Sequence, residues 1–196
     1  MRRLADAVQK TTRRLDLLIN NAGLGSGVSR TARKTSVDGY ELLFAVNYLA
    51  GFLLTHLLLP LLKKSAPARI VNVSSLGQQA IAFDDVMLTH GYSGSRAYRQ
   101  SKLAQILFTI DLARELSGSG VTVNALHPAT YMNTTMVRQS GATPISSVEE
   151  GAEAILKLVV RRSWKAKAGS ISTASAKRAP TPRPTKRSAS SWPVCR

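Results

Sequence analysis

A tyrosine and a lysine four residues apart, Tyr98 and Lys102, stand in the run Ala97-Tyr98-Arg99-Gln100-Ser101-Lys102-Leu103-Ala104. On a helix such a pair shares one face, and an ammonium beside a phenol favours the ionised phenol. The pair could therefore give a proton to a bound substrate and take one back. A tyrosine packed on a helix face with a solvated lysine nearby has the same spacing, so the elements that carry the pair must decide between the two readings.

Apolar runs and their punctuation give an alternation of strands and helices. Residues 1–14 read as an amphipathic helix with Leu4, Ala7, Val8 and Thr11 on one face. Residues 15–19 form a short buried strand, closed by Asn20-Asn21-Ala22-Gly23 and a Gly/Ser-rich loop to Ser29. Residues 36–62 read as a helix that starts near Ser36, passes Asn47 and enters the apolar run 49–62. A second buried strand, 69–73, ends at Ser74-Ser75, and a loop with Phe83-Asp84-Asp85 follows. The helix 98–116 carries Leu103, Ile106, Leu107, Ile110, Leu112 and Ala113 on its apolar face. A third strand, 121–126, ends at His127-Pro128, and a last helix, 148–160, opens with Ser146 or Ser147 as cap and Glu149 and Glu150 in its first turn. This order specifies an α/β fold with a parallel sheet covered on both faces, whose ligands bind at the carboxyl ends of the strands. Asn20-Asn21-Ala22-Gly23, Ser74-Ser75 and His127-Pro128 each follow a strand directly, and the helix of Tyr98 starts on the same rim. Four polar clusters are expected to converge there.

The net charge of +16 is unevenly spread. Residues 1–160 hold 17 basic and 11 acidic side chains, whereas residues 161–196 hold 10 basic and no acidic ones. The first segment is expected to be one domain. The second, a basic Pro/Ser-rich tail, lacks apolar periodicity and is expected to be disordered. Its charges are read as solvated, without a specific nucleic-acid partner, because only Trp164 and Trp192 could stack on bases. The run 49–62 contains His56 and Pro60 and is too short to span a bilayer, so it is read as a buried helix and no transmembrane segment is expected. Cys195 is the only cysteine, which excludes an internal disulfide and a cysteine-rich metal site and suits a cytoplasmic protein.

Asn-Asn-Ala-Gly at 20–23, Val46-Asn47, Val71-Asn72-Val73-Ser74-Ser75, Ala97-Tyr98-x-x-Ser101-Lys102-Leu103-Ala104 and the run from Val121 to His127-Pro128 resemble, in order, the motifs of the short-chain dehydrogenase/reductase family. The loop with Phe83-Asp84-Asp85 is similar to its retinol-dehydrogenase-like branch. The resemblance covers residues 1–160 and implies a partial Rossmann-like, doubly wound sheet. It also implies hydride transfer between NADP or NAD and a small carbonyl or alcohol substrate. In that frame Tyr98 is the general acid/base, Lys102 lowers its pKa and holds the nicotinamide ribose, Ser75 binds the substrate oxygen, and Asn47 completes a proton relay through water to Lys102. Asn20, Ala22 and Gly23 form the cofactor-side loop, Pro128 and Thr134 (or Thr135) hold the carboxamide, and His127 is structural. The family's dimer implies pairing of two copies through helices 49–62 and 98–116.

The family's Thr-Gly-x-x-x-Gly-x-Gly turn, which holds the dinucleotide pyrophosphate, occurs nowhere in the 196 residues. The expectation is a sheet lacking the N-terminal strands, in a truncated chain whose grip on the cofactor is weakened. Two other functions fit such a chain: a catalytically silent fragment that dimerises with or regulates longer relatives, and a nucleic-acid or membrane-surface binder acting through the basic tail.

Overall fold

Ile70 and Val71 occupy successive positions of one strand and both are sealed from solvent. Successive side chains of a strand point to opposite faces, so the sheet must be covered on both. The computed structural model describes residues 1–30, 32–160 and 171–173. Four parallel strands, β1 (Leu17–Asn20), β2 (Ala68–Val73), β3 (Val121–His127) and β4 (Ile171–Thr173), lie side by side in that order. The register puts Leu18 beside Ile70 and Ile70 beside Val123.

The helices are α1 (Arg2–Thr11), α2 (Leu42–Phe44), α3 (Ala50–Lys64), α4 (Gly94–Glu115), α5 (Thr135–Ser140) and α6 (Val148–Val160). On one face α1, α3 and α4 bring Ala5, Leu58, Leu62, Phe108 and Leu112 onto Leu18, Ile70 and Val123. On the other, Leu158 of α6 packs with Val71, Val73 and Leu126. The α/β class, the parallel sheet and its cover on both faces are as the sequence specifies.

Four elements differ from expectation for identifiable reasons. The helix expected from Ser36 begins at Leu42. Gly39, at φ +83°, closes a turn on Ser36, and the buried Glu41 carboxylate accepts the amides of Leu43 (3.0 Å) and Phe44 (2.7 Å), filling the helix N-terminus with the charge that it favours. From there α2 runs through a π turn, Ala45–Leu49, into α3. The continuous helix Leu42–Lys64 has 23 residues and is apolar and long enough to cross a membrane by length and composition, which overturns the length argument drawn from the run 49–62. In the fold its Thr55, Leu58, Leu59 and Leu62 are buried.

Helix α4 starts four residues before Tyr98, because the Ser93 hydroxyl caps it by accepting the Arg96 amide at 3.2 Å. Gly94 lets this end meet the 3-10 turn Ser26–Ser29: a Cβ on it would stand 2.3 Å from the Ser29 carbonyl oxygen. The short α5 has no counterpart in the sequence reading and lies against the same turn, with Met136 over Gly25. Finally, β4 falls inside the segment expected to lack order, yet it pairs with Ala125, Leu126 and His127. Three residues are too few to carry a period that reading could detect. The remainder of the expected tail, 161–170 and 174–196, lies outside the described residues.

Candidate active site

Tyr98 and Lys102 are one turn apart on α4 and share a face, with the Lys102 ammonium 5.8 Å from the centre of the Tyr98 ring. The ammonium is 4% exposed. It donates to the Val73 carbonyl of β2 and to Gln105 Oε1, each at 3.0 Å. The two serines after β2 part company. Ser74 Oγ donates to the Lys102 carbonyl at 2.9 Å, tying the strand end to the helix, while the Ser75 hydroxyl stands beside the Tyr98 phenol, near enough to favour its ionised form. Ser75 Oγ also accepts the Gly77 amide at 3.1 Å, which aims it.

Burial pushes the Tyr98 phenol above its ordinary value, and the Ser75 hydrogen bond pulls the other way. Burial draws Lys102 down to about 8. This differs from the expected lowering of the tyrosine by the lysine: in the folded chain the cost of burying a phenolate outweighs the neighbouring ammonium.

Asn47 sits in the π turn, a local widening of a helix that recurs at functional sites. Its amide is fully engaged. Oδ1 accepts the Leu24 amide at 2.7 Å, and Nδ2 donates to the Leu24 carbonyl at 3.1 Å and Ser101 Oγ at 3.0 Å. It thereby fixes the loop that follows Asn20-Asn21-Ala22-Gly23 against the helix of Tyr98. A Cβ on Gly23 would lie 3.2 Å from Asn47 Oδ1 and 3.7 Å from Lys102 Nζ, so the glycine leaves the ammonium open from that side.

The side chain of Asn20 goes elsewhere. It is buried, and its Nδ2 donates to Thr55 Oγ1 (3.0 Å) and Asn72 Oδ1 (2.8 Å), while Asn72 Nδ2 donates to Thr109 Oγ1 at 2.8 Å. This ladder joins α3, β1, β2 and α4 inside the core, where each amide must be paired. With its side chain so engaged, Asn20 offers a ligand its backbone, as Ala22 and Gly23 do.

Pro128 follows β3 on the same rim and is buried against Gly151 of α6. Thr134 caps α5, its Oγ1 accepting the Val137 amide at 3.4 Å, so this hydroxyl is already partnered. His127 is held by Thr130 Oγ1 at 3.0 Å, as a structural residue would be, and its half-burial lowers its pKa. Sequence reasoning missed Gln105 and Gln100. Gln105 lies three residues from Lys102 on a helix, a spacing that could have placed it beside the lysine. Gln100 donates to the Val86 carbonyl at 2.7 Å and so pins the loop with Phe83-Asp84-Asp85 onto α4.

The rim thus presents a phenol with a serine hydroxyl beside it, a buried ammonium beneath them and a glycine, Gly23, packed over the ammonium. Such a group can donate a proton to an oxygen and stabilise charge developing on it. The open side of Lys102 also fits a ligand bearing vicinal hydroxyls, such as a nicotinamide ribose. Away from this rim, the outer faces of α3 and α4 enclose a groove of about 370 Å³ lined by Phe44, Tyr48, Phe52, Phe83, Leu107 and Phe108. Phe52 stacks at 5.0 Å on Phe108 and at 5.7 Å on Tyr48. Among the described residues no group of three or more His, Cys, Asp and Glu could hold a metal.

The family model described as short chain dehydrogenase matches residues 1–144. Over 131 residues the chain is 53% identical to human retinol dehydrogenase 13, covering 65% of this chain and 38% of that protein. It therefore spans less than half the length of that relative. Among solved structures it is similar to Pseudomonas aeruginosa RhlG in an NADP active-site complex, with a TM-score of 0.65 at 27% identity over 88% of this chain and 69% of that one. An NADPH-bound carbonyl reductase from chicken fatty liver superposes with a TM-score of 0.61 at 28% identity, over 87% and 68%. With the matched family model spanning β1 to β3, the rim and the tyrosine-lysine helix, this chain belongs to the short-chain dehydrogenase family.

Proposed function

We propose that the chain carries the proton-transfer half of an NAD(P)-dependent oxidoreductase acting on a carbonyl or alcohol, with retinal-like and aliphatic aldehydes as the substrate class. The observation that carries this reading is Tyr98 set one turn from the buried Lys102, its ring 5.8 Å from the ammonium, with the Ser75 hydroxyl beside the phenol. In reduction, Ser75 holds the carbonyl oxygen and Tyr98 delivers a proton to it as negative charge develops. In oxidation the same two groups bind the alcohol, and Tyr98 takes its proton. Lys102, fixed by Val73 and Gln105, stabilises the phenolate left after donation and presents its remaining proton toward Gly23. Asn47 keeps the Gly23 loop and α4 in register and lines the water path to Lys102.

NADP or NAD would supply and accept the hydride. Ala22, Gly23, Tyr98 and Lys102 would hold its ribose and nicotinamide end, with Pro128 and Thr134 near the carboxamide. These 196 residues offer no glycine turn for the pyrophosphate, so the isolated chain is expected to bind NADPH and NADH with Kd above roughly 100 μM. Calorimetric titration measures this, and submicromolar binding of either would show a grip that these residues do not explain.

The deciding experiment is reduction of retinal or a medium-chain aldehyde by the full chain at saturating NADPH. Tyr98→Phe should lower the rate by about 10²–10⁴-fold; an unchanged rate refutes the role given to Tyr98.

The apolar groove between α3 and α4 supports a second part of the reading, docking of another copy of this chain. Sedimentation should then find a dimer that Leu107→Asp dissociates, and a monomeric native chain would remove this part. The buried core positions of Leu42–Lys64 favour a helix of the domain over a membrane span, and a cytoplasmic setting.

A further inference from the structure

We propose that Gln105 is the positioning residue of Lys102: its amide oxygen fixes the ammonium between the end of β2 and the Tyr98 ring and sustains its charge. This rests on the oxidoreductase reading given above and assigns control of the same site to a residue outside the motif.

The geometry around Lys102 is unusual for a buried cation. A charged group removed from water ordinarily has an opposite charge beside it, because burial otherwise drives it to neutrality. Among the described residues no carboxylate lies within ion-pair distance of Lys102. The groups facing it from the surrounding elements are neutral: the Val73 carbonyl from β2, Asn47 from the π turn and Gly23 from the loop after β1. Tyr98, on its own helix, is the titratable group set against it.

An ammonium has three protons and no acceptor of its own. Val73 O takes one and Gln105 Oε1 another, both at 3.0 Å. That leaves one for the side of Gly23, where a ligand would approach. Val73 contributes a backbone atom that no substitution removes, so among the described residues Gln105 is the one side chain that accepts from the ammonium. Gln105 is itself buried, and its backbone carbonyl accepts Thr109 Oγ1 at 2.7 Å, which joins this turn of α4 to the Asn72–Asn20 ladder. Burial draws Lys102 down to about 8, so the acceptors that remain on its ammonium oppose a further fall toward neutrality.

The test is a pH titration of Lys102 in the full chain labelled with [ε-13C]lysine, assigned by loss of its signal in Lys102→Met. Gln105→Met keeps the length of the side chain and removes the acceptor, and it should move the midpoint down by about one pH unit; Gln105→Glu adds an opposite charge and should move it up by at least about as much. The alkaline limb of kcat/KM for aldehyde reduction should move in the same directions. An unchanged midpoint in folded Gln105→Met overturns the proposal, even where activity falls, because that pattern marks a merely structural residue. If Gln105→Met does not fold, Gln105→Glu decides alone, and an unmoved midpoint there overturns it too. Absence of any turnover in the native chain would count against the enzymatic reading, and the titration would still decide the part assigned to Gln105.

Discussion

On the α4 side of the rim, groups that could do chemistry are placed by side chains that are themselves held. Lys102 rests on Val73 and Gln105, Ser74 ties the strand end to the helix, and Ser75 is aimed by the Gly77 amide. On the β1 side, the residues nearest a ligand are small or present only backbone. Asn20, the polar side chain that ends β1, is turned inward to Thr55 and Asn72. A proton-transfer site can thus be written within one helix and one strand end. A dinucleotide grip asks in addition for a glycine turn around the pyrophosphate, which these 196 residues do not contain.

Four substitutions would break or sharpen that contrast. The largest effect is expected at Asn72, which serves both sides: Asn72→Ala leaves Asn20 and Thr109 without their partner and should cost about 3 kcal/mol. Urea unfolding measures it, and a loss below about 1 kcal/mol would mean that the ladder does not hold the two sides together. Next come the two serines. Ser75→Ala should lower kcat for aldehyde reduction by roughly 10²-fold with little loss of stability, whereas Ser74→Ala should cost about 1 kcal/mol of stability and leave the rate nearly intact. Reversal of these two results would exchange the roles assigned to them.

The smallest effect concerns the loop after Ser75. Amides of Thr89 and His90, at 2.8 and 2.9 Å, hold the Asp85 carboxyl down to about 2 from 3.8. A carboxylate lowered on folding stabilises above its unfolded value and ceases to as pH falls through its folded one, so this anchor is complete above about pH 4 and lost toward about pH 2. Asp85→Asn should therefore speed hydrogen exchange at Thr89 and His90 near pH 5 and leave it unchanged below about pH 2. Equal exchange at both would show that the turn holds without its carboxylate.

Much of this was legible before any coordinates. Alternating apolar runs and polar strand ends located the sheet and the rim, and Ser146 or Ser147 with Glu149 and Glu150 marked the start of α6; the structure chooses Ser147, which bonds reciprocally with Glu150 at 3.1 Å. The resemblance, rather than spacing, separated Ser75 from Ser74. The direction taken by Asn20 was not legible, because an amide after a strand can face either solvent or core, and its partners lie 35 and 52 residues away. The start of α2 was hidden by Gly39 and by a glutamate acting as cap. The direction of the Tyr98 shift was hidden because burial is a property of the assembled fold.

Arg69, second residue of β2, donates from its guanidinium to the carbonyls of Leu158 and Val159 at the end of α6. The positive group meets the carbonyls that a helix terminus leaves unpaired. Its consequence is topological. The crossover that leaves β3 is thereby fixed over the first residues of β2, on the face that Leu158 covers, while β4 pairs with the far end of β3.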